Sequence, residues 1–99
     1  MRRAAATDAN QAEIVRVLRD FCTVELLSAV GGGVPDLLAG FRGVNVLLEV
    51  KDGSKTPSRR VLTRDQKVWH SSWAGQVAVV NDVAEAVATV MRLTRPRGE

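Results

Sequence analysis

The stretch that decides the fold is GVPDLLAGFRGVNVLLEVK, residues 33–51. It contains two apolar runs separated by the turn-like sequence RGVN, a pattern typical of two β-strands joined in a hairpin. Asp36, Glu49 and Lys51 bring charges into or beside these runs. Because an ionised side chain in a buried strand carries a desolvation cost unless it is paired or binds a cation, these three charges need a chemical reason.

The segments that precede and follow this stretch have clear local signals. Apolar residues recur at helical spacing over residues 8–22, where Asp8 or Asn10 can cap the first turn, so an amphipathic helix is predicted. The segment TVELLSAV, residues 23–30, predicts a first strand. The segment KDGSKTPSRR, residues 51–60, is polar, contains glycine and proline, and predicts a loop.

The remainder of the chain predicts a helix, a strand and a closing helix. Thr63 precedes the helical segment RDQKVWHSSW, residues 64–73, and QVAVV, residues 76–80, has the length and β-branching of a buried strand. Asn81 or Asp82 then caps a last amphipathic helix. The first strands favour antiparallel pairing, whereas a strand, helix, strand unit needs a parallel crossover. The predicted fold class is therefore α+β, sandwich-like, with a mixed sheet covered by helices on both faces.

Length and composition limit the kind of protein this is. With 99 residues the chain forms one domain, residues 1–99, and we predict flexible tails at 1–7 and 93–99. The net charge of +3 favours a polyanionic partner, and the single cysteine, Cys22, excludes an internal disulfide and a Cys-rich zinc site. Without a signal-peptide core or eighteen consecutive apolar residues, we expect a cytoplasmic protein with no membrane partner.

The charged residues of the opening stretch are predicted to converge. Side chains alternate along a strand, so Glu49 and Lys51 share one face, and the RGVN turn folds the preceding strand back so that Asp36 comes near them. Two carboxylates are hard oxygen ligands for a divalent ion such as magnesium, and the carbonyl of Val50 can serve as a third ligand. The lysine can orient or help deprotonate an attacking water and offset charge on a phosphodiester.

Three motifs carry a resemblance to a known family. The sequences GVPD (33–36), EVK (49–51) and LTRDQKVW (62–69) resemble the PD-(D/E)xK nuclease superfamily, and within it the small VRR-NUC-type and phage nucleases related to Holliday junction resolvases. The resemblance covers most of the chain, and the αβββαβ, restriction-endonuclease-like core of that superfamily agrees with the predicted order of elements. It implies a magnesium-dependent endonuclease, with manganese as an alternative ion, that cuts DNA at junctions, flaps or nicks.

The resemblance also implies roles for individual residues. Asp36 and Glu49 would bind the metal, and Lys51 would be the catalytic lysine. Gln66 would be the helix glutamine that reaches into the site. Glu13, on the first helix, matches the acidic position that several relatives place near the metal.

Basic residues follow Lys51 in the sequence and extend into the next helix. They are predicted to hold the DNA backbone, with ordinary solvated surface charge as the alternative. The residues are Lys55, Arg59, Arg60, Arg64 and Lys67.

A homodimer is expected, because resolving a junction or cutting both strands needs two active sites and the resolvase-like relatives are dimeric by the resemblance. The predicted interface contains Val24, Leu26 and Val30 together with the exposed side of the last helix.

Structural interpretations stand beside these functional ones. Asp36 can be a turn residue, and Glu49 and Lys51 can lie on an exposed edge strand, where charge discourages aggregation. Gln66 can be a buried amide bonded to backbone. We predict that Trp69 and Trp73 are core residues and not base-stacking surfaces. We also predict that His70 is a surface or boundary residue and not a general base.

Two other functions compete with that of a nuclease. One is a non-catalytic DNA-binding module that retains the nuclease fold, and the other is a sugar or nucleotide phosphohydrolase that uses the same carboxylates. The intact set of Asp36, Glu49 and Lys51 argues against the first, since a binding module has no use for it. The chain has no P-loop lysine after its three glycines, Gly31 to Gly33, to support nucleotide binding.

Overall fold

The computed structural model describes residues 8–96 and has the predicted α+β order of elements. A short 3₁₀ helix, which the sequence patterns do not predict, lies in the loop before the second helix, where Pro57 occupies its first position. The elements are α1 (Gln11–Leu18), β1 (Thr23–Leu26), β2 (Leu37–Phe41), β3 (Val44–Val50), the 3₁₀ helix (Pro57–Arg59), α2 (Arg64–Ser72), β4 (Val77–Val80) and α3 (Val83–Leu93).

The four strands form one mixed sheet in the order β1-β2-β3-β4. The β1–β2 and β2–β3 pairs are antiparallel and the β3–β4 pair is parallel, which confirms the predicted pairing. Arg42 and Gly43 form the two-residue loop between β2 and β3, with φ values of 56° and 76°. Positive φ at both loop positions is the geometry whose twist suits a tight hairpin, so this loop sets the β2–β3 register.

One face of the sheet carries the hydrophobic core. Alternate residues of β3 point into it, and α1 and α3 supply the aliphatic side chains that cover them. Burial of this apolar surface is the main source of stability. The fully buried members of the cluster are Ile14, Leu18, Leu37, Ala39, Val46, Leu48, Val50, Val80 and Val90.

The opposite face of the sheet is covered less completely. It carries Leu47, Glu49 and Lys51 of β3 and its end, and α2 reaches it through Gln66. None of the nine residues of α2, all of which the structure describes, is buried. The expected covering of both faces by helices is therefore only partly realised, with a dense layer on one side and a single, loosely packed helix on the other.

Several element boundaries differ from the prediction because of tertiary contacts. α1 begins at Gln11, and within residues 8–96 the Asn10 side chain makes no capping bond. Its amide instead donates to the carbonyls of Lys51, at 3.1 Å, and Asn81, at 2.9 Å, which ties the start of α1 to the ends of β3 and β4. Asp82 does cap α3, since its carboxylate accepts from the Glu85 amide at 2.7 Å.

The ends of the chain differ in what can be said of them. Leu93 is the last residue of α3 and Thr94 is fully buried, so these two residues of the predicted C-terminal tail belong to the folded domain. The flexibility predicted for residues 1–7 and 97–99 lies outside the described residues.

Candidate active site

Asp36 and Glu49 lie opposite each other at the end of the β2–β3 pair. The last paired residues are Leu37 and Leu48, and one further step along each strand puts the two acids across from one another on the same face. Asp36 is 6% exposed and Glu49 is 2% exposed. The exposed edge-strand interpretation of Glu49 is therefore wrong, because β3 is an inner strand and this carboxyl is buried.

Hydrogen bonds hold the Asp36 carboxylate in place. Its Oδ2 accepts from the backbone amide of Val50 at 2.8 Å, and its Oδ1 accepts from the Ser28 hydroxyl at 3.3 Å. These donors fix the carboxylate against the end of β3, so Asp36 is more than a turn residue. Each oxygen retains a further lone pair with which it can accept from, or coordinate, another group.

The two carboxyls interact strongly. The pKa of Glu49 is raised from its ordinary 4.5 to about 9, first by burial and then by hydrogen bonding to Asp36 and by the charge of Asp36. Lys51 opposes the shift, but less strongly. Two carboxylates at one buried site cannot both ionise without a compensating charge. In the metal-free protein, Glu49 therefore keeps its proton at neutral pH.

Lys51 and Gln66 complete the cluster. The Lys51 ammonium donates to Oε1 of Gln66 at 2.8 Å and lies 4.0 Å from Oε2 of Glu49. Nε2 of Gln66 donates to the same Glu49 oxygen at 3.2 Å. The Gln66 side chain thus bridges the acid and the lysine, and Lys51 is itself only 9% exposed.

The start of α2 fixes where Gln66 lies. Thr63 and Gln66 form a capping box, in which Oγ1 of Thr63 accepts from the Gln66 amide at 3.3 Å and Oε1 of Gln66 accepts from the Thr63 amide at 2.9 Å. The loop before β2 packs against this turn, and a Cβ on Gly33 would lie 2.3 Å from the carbonyl oxygen of Asp65. Gly33, with φ of 87°, thus allows a close approach to α2, and the sequence suggested no such contact.

Two residues near the cluster, Asp8 and Ser28, were not predicted to belong to it. The charge of Asp8 contributes to the raised pKa of Glu49, and its Oδ1 lies 3.8 Å from the Lys55 ammonium. Ser28 holds Asp36. Asp8 has the sequence signal of a helix cap, and Ser28 has no spacing that points to a site, because its position depends on the path of the β1–β2 loop.

His70 also faces the cluster. It lies one turn after Gln66 on α2, is half-buried, and its pKa is lowered by burial and then by the charge of Lys51. Within residues 8–96 its Nε2 is buried and has no hydrogen-bond partner. His70 is thus a boundary residue, as predicted, and it lies on the side of α2 that faces Lys51.

Glu13 does not join the two acids. Its side chain is exposed on α1 and lines a groove with Asp52 and Asp82. Among residues 8–96 no three His, Cys, Asp or Glu side chains converge closely enough to hold a metal ion. The structure therefore separates Glu13 from Asp36 and Glu49, while the role of the Val50 carbonyl as a ligand stays a prediction.

The residues present nonetheless fit a magnesium ion. Magnesium keeps several waters and is commonly bound in proteins by one or two carboxylates together with substrate phosphate, so Asp36 and Glu49 form a sufficient set. Oε1 of Glu49 is buried and accepts no hydrogen bond from an N–H or hydroxyl group of the described residues, and in the metal-free protein the bond between Glu49 and Asp36 is the proton that the two carboxyls share. A buried carboxyl oxygen that accepts no hydrogen bond from a donor group, and that lies beside a second carboxylate, can serve as a ligand for a cation.

The predicted phosphate-binding residues lie in the loop after β3 and on α2. Lys55, Arg59, Arg64 and Lys67 are exposed, and Arg60 is half-buried. Because this loop leaves the end of β3, it starts directly beside Lys51. The positive charges are therefore accessible to solvent and continuous in the chain with the cluster.

The two tryptophans are not core residues, contrary to the prediction. Trp73 is 46% exposed and Trp69 is half-buried, and their rings stack on each other with centroids 4.8 Å apart. The helical stripe that suggested a core position exists, but α2 packs loosely on the sheet, and Trp73 lines an open groove with Leu38 and Leu47 instead of being buried.

No protein-family model, curated protein or solved structure matches the chain. Over residues 8–96, the helices all fall short of the length and apolar composition that crossing a membrane requires. The side chains around Glu49 are the group in the described residues with the most evident capacity for chemistry.

Proposed function

We propose that the chain is a magnesium-dependent endonuclease that hydrolyses DNA phosphodiester bonds, with selectivity for junction, flap or nicked DNA. The observation that carries this proposal is the convergence of Asp36, Glu49, Lys51 and Gln66 beside the end of β3. Three ionisable side chains buried together cost free energy that an apolar cluster of the same size does not. A small domain that retains them supports a catalytic role over a structural one.

Asp36 and Glu49 would hold the ion. When bound, magnesium would polarise the scissile phosphate and lower the pKa of a coordinated water, which supplies the nucleophile. The protein contributes the fixed position of Asp36, held by Val50 and Ser28, and Oε1 of Glu49, which accepts no hydrogen bond from an N–H or hydroxyl group of the described residues. Both features favour a cation at this place over an empty, doubly acidic pocket.

Lys51 and Gln66 would act on the substrate side of the site. The ammonium offsets the negative charge that develops on a phosphodiester in the transition state, and a fixed donor is worth more than a mobile one because it needs no reorganisation. Gln66 provides that fixation, since it holds Lys51 through Oε1 and Glu49 through Nε2. The amide thereby keeps lysine and acid at a set spacing of 4.0 Å.

Exposed cations beside the site favour a nucleic-acid substrate over a small phosphate ester. A phosphohydrolase for sugars or nucleotides needs an enclosed pocket for one ligand, whereas DNA presents a row of phosphates that a row of basic side chains matches. Such contacts position the strand without reading its sequence. The residues concerned are the exposed Lys55, Arg59, Arg64 and Lys67 and the half-buried Arg60.

A homodimer is part of the proposal. β1 is an edge strand of the described sheet, and Leu26 on it is 55% exposed beside a groove of about 570 Å³ that α1 also lines. Val24, which was predicted to lie at this interface, is buried in the core and cannot contribute.

We expect sedimentation of the wild type at micromolar concentration to give twice the 10.7 kDa mass of the chain, and Leu26→Glu to give monomers. A wild type that stays monomeric on DNA would contradict the homodimer.

Cleavage assays test the main proposal. Labelled duplex, nicked, flap and four-way junction DNA would be incubated with the wild type and with Glu49→Gln, each in magnesium, in manganese and in EDTA. We expect cleavage by the wild type with either ion and none in EDTA or by the variant. DNA binding without cleavage under every condition would instead establish the non-catalytic module, and release of phosphate from nucleotides alone would establish the phosphohydrolase.

A further inference from the structure

Helix α2 carries an aromatic surface that the fold does not use. Trp73 is 46% exposed, Val68 is 61% exposed, and none of the nine helix residues, all described, is buried. A tryptophan left accessible forgoes the large hydrophobic gain of burial, so exposed tryptophans often mark a surface that binds a partner.

The two indoles stack on each other, and each also lines an open groove. The rings are stacked with an interplanar angle of 19°. Trp69 lines a shallow groove of about 310 Å³ together with Arg64, and Trp73 lines another of about 240 Å³ together with Leu47. A flat π-surface beside a shallow, open groove suits a planar ring better than it suits an extended peptide or a bulky side chain.

Charge identifies the occupant. Arg64 lines the groove of Trp69 together with Asp65, and Lys67 is a second exposed cation on α2, so the helix carries a net positive charge that suits a strand of phosphates. Proteins that bind single-stranded DNA combine positive charge, which follows the phosphates, with aromatic rings on which bases stack. The indoles and cations of α2 have this composition.

Position links the aromatic surface to the proposed active site. Gln66, on the first turn of α2, contacts Lys51 and Glu49. Trp69 follows three residues later, about 4.5 Å further along the helix axis, and Trp73, the C-cap residue just after α2, stacks on it. A strand lying along α2 would therefore place successive nucleotides on the indoles and lead its backbone to the lysine.

We propose that Trp69 and Trp73 are a stacking platform for the bases of an unpaired DNA strand that enters the active site along α2. The proposal rests on the proposed nuclease function and narrows its substrate to DNA with a single-stranded segment, such as a flap. In an intact duplex the bases are paired and stacked on one another, so their faces are not available to the indoles.

Fluorescence tests this directly, because Trp69 and Trp73 are the only two tryptophans in the chain. The wild-type protein in EDTA, where no cleavage occurs, would be titrated with oligo(dT), with an abasic strand of equal length, and with a blunt duplex. We expect quenching and tight binding with oligo(dT), and loss of the quenching with the abasic strand, which keeps the phosphates but has no bases. Equal quenching and equal affinity for both strands would overturn the platform.

Variants assign the effect to the ring. Trp73→Ala should weaken oligo(dT) binding about 5- to 150-fold while leaving the abasic strand unaffected, because one base–aromatic stack contributes about 1–3 kcal/mol. Trp73→Phe should restore most of the affinity, because phenylalanine keeps an aromatic face for stacking. If Trp73→Ala binds oligo(dT) normally but converts a dimer into monomers, a second copy covers the surface and the platform is wrong.

The two proposals fail in different ways. Binding in EDTA does not depend on cleavage, so base-dependent quenching without cleavage in magnesium would support the platform and contradict the nuclease. Cleavage of flap and duplex DNA at equal rates, unchanged by Trp73→Ala and without base-dependent quenching, would support the nuclease and overturn the platform.

Discussion

In β3, neighbouring residues face two very different environments. Val46, Leu48 and Val50 point toward α1 and α3 and are fully buried in a continuous aliphatic cluster. Glu49 and Lys51 point the other way and are 2% and 9% exposed, but they lie among carboxyl, amide and ammonium groups. One strand therefore contributes to stability with one face and carries the chemically capable residues on the other.

The difference shows how so small a domain can hold buried charge. The core face gains free energy from every apolar side chain it buries, and this gain offsets the desolvation of the cluster opposite. Desolvation is the largest cause of the raised pKa of Glu49, about 9, and the hydrogen bond and charge of Asp36 add to it. The two faces of the sheet are therefore linked energetically, because the stability gained on the core face offsets the cost of the charged cluster, although their side chains point to opposite sides of the sheet.

Removal of one acid should show most clearly that the two faces of the sheet have different roles. Glu49→Gln keeps the size of the side chain but removes a metal ligand, so we expect cleavage to fall by about 10³-fold, which corresponds to about 4 kcal/mol of transition-state stabilisation. Single-turnover cleavage in magnesium measures it. Lys51→Met, a control at the same site, should lose turnover but retain magnesium binding, and wild-type cleavage rates in Glu49→Gln would show that the acid has no catalytic part.

Truncation on the core face should have the largest effect on folding. Leu48→Ala leaves a cavity in the fully buried cluster and is expected to lower the free energy of unfolding by about 2–5 kcal/mol. Val68→Ala, on the exposed side of α2, should change it by no more than about 0.5 kcal/mol. Urea denaturation compares the two. Similar losses in both variants would mean that α2 contributes to the core after all.

The pH dependence of stability should belong to the polar face. Below pH 4.5 Glu49 is protonated in the folded and the unfolded chain; between pH 4.5 and about 9 only the folded chain keeps the proton. The folded state then binds more protons, so the free energy of unfolding falls as pH rises, by up to about 1.4 kcal/mol per pH unit. Melts in EDTA from pH 5 to 8 should show Glu49→Gln gaining on the wild type, and parallel curves would contradict the raised pKa.

Loss of the α2 cap should have the smallest effect on stability of the changes considered, and it should alter only the polar face of the sheet. Thr63→Ala removes the acceptor for the Gln66 amide and is expected to cost about 1 kcal/mol, whereas Thr63→Ser keeps it. Because Gln66 positions Lys51, the alanine variant should also cleave more slowly. Thermal melts and cleavage rates of the pair decide the matter; identical behaviour of the two variants would separate the capping box from the site.

The site was predictable where it depends on local rules. Strand alternation places Glu49 beside Lys51, and the RGVN turn brings Asp36 near them; the resemblance supplied the prediction for Gln66, and the capping box that fixes its position is a finding of the structure. The first two follow from a short stretch of sequence and the geometry of one element or one turn. The α+β order and the mixed sheet were predictable for the same reason.

Other features were decided only by the packing of distant elements. The charge of Asp8 acts on Glu49 and the hydroxyl of Ser28 donates to Asp36 because of where the start of α1 and the β1–β2 loop lie. Asn10 does not cap α1; its side chain instead joins the start of α1 to the ends of β3 and β4. The exposure of Trp69 and Trp73 was likewise not readable from their helical spacing. Periodicity states which residues share a face, but only the tertiary structure decides whether that face meets a core, a polar cluster or solvent.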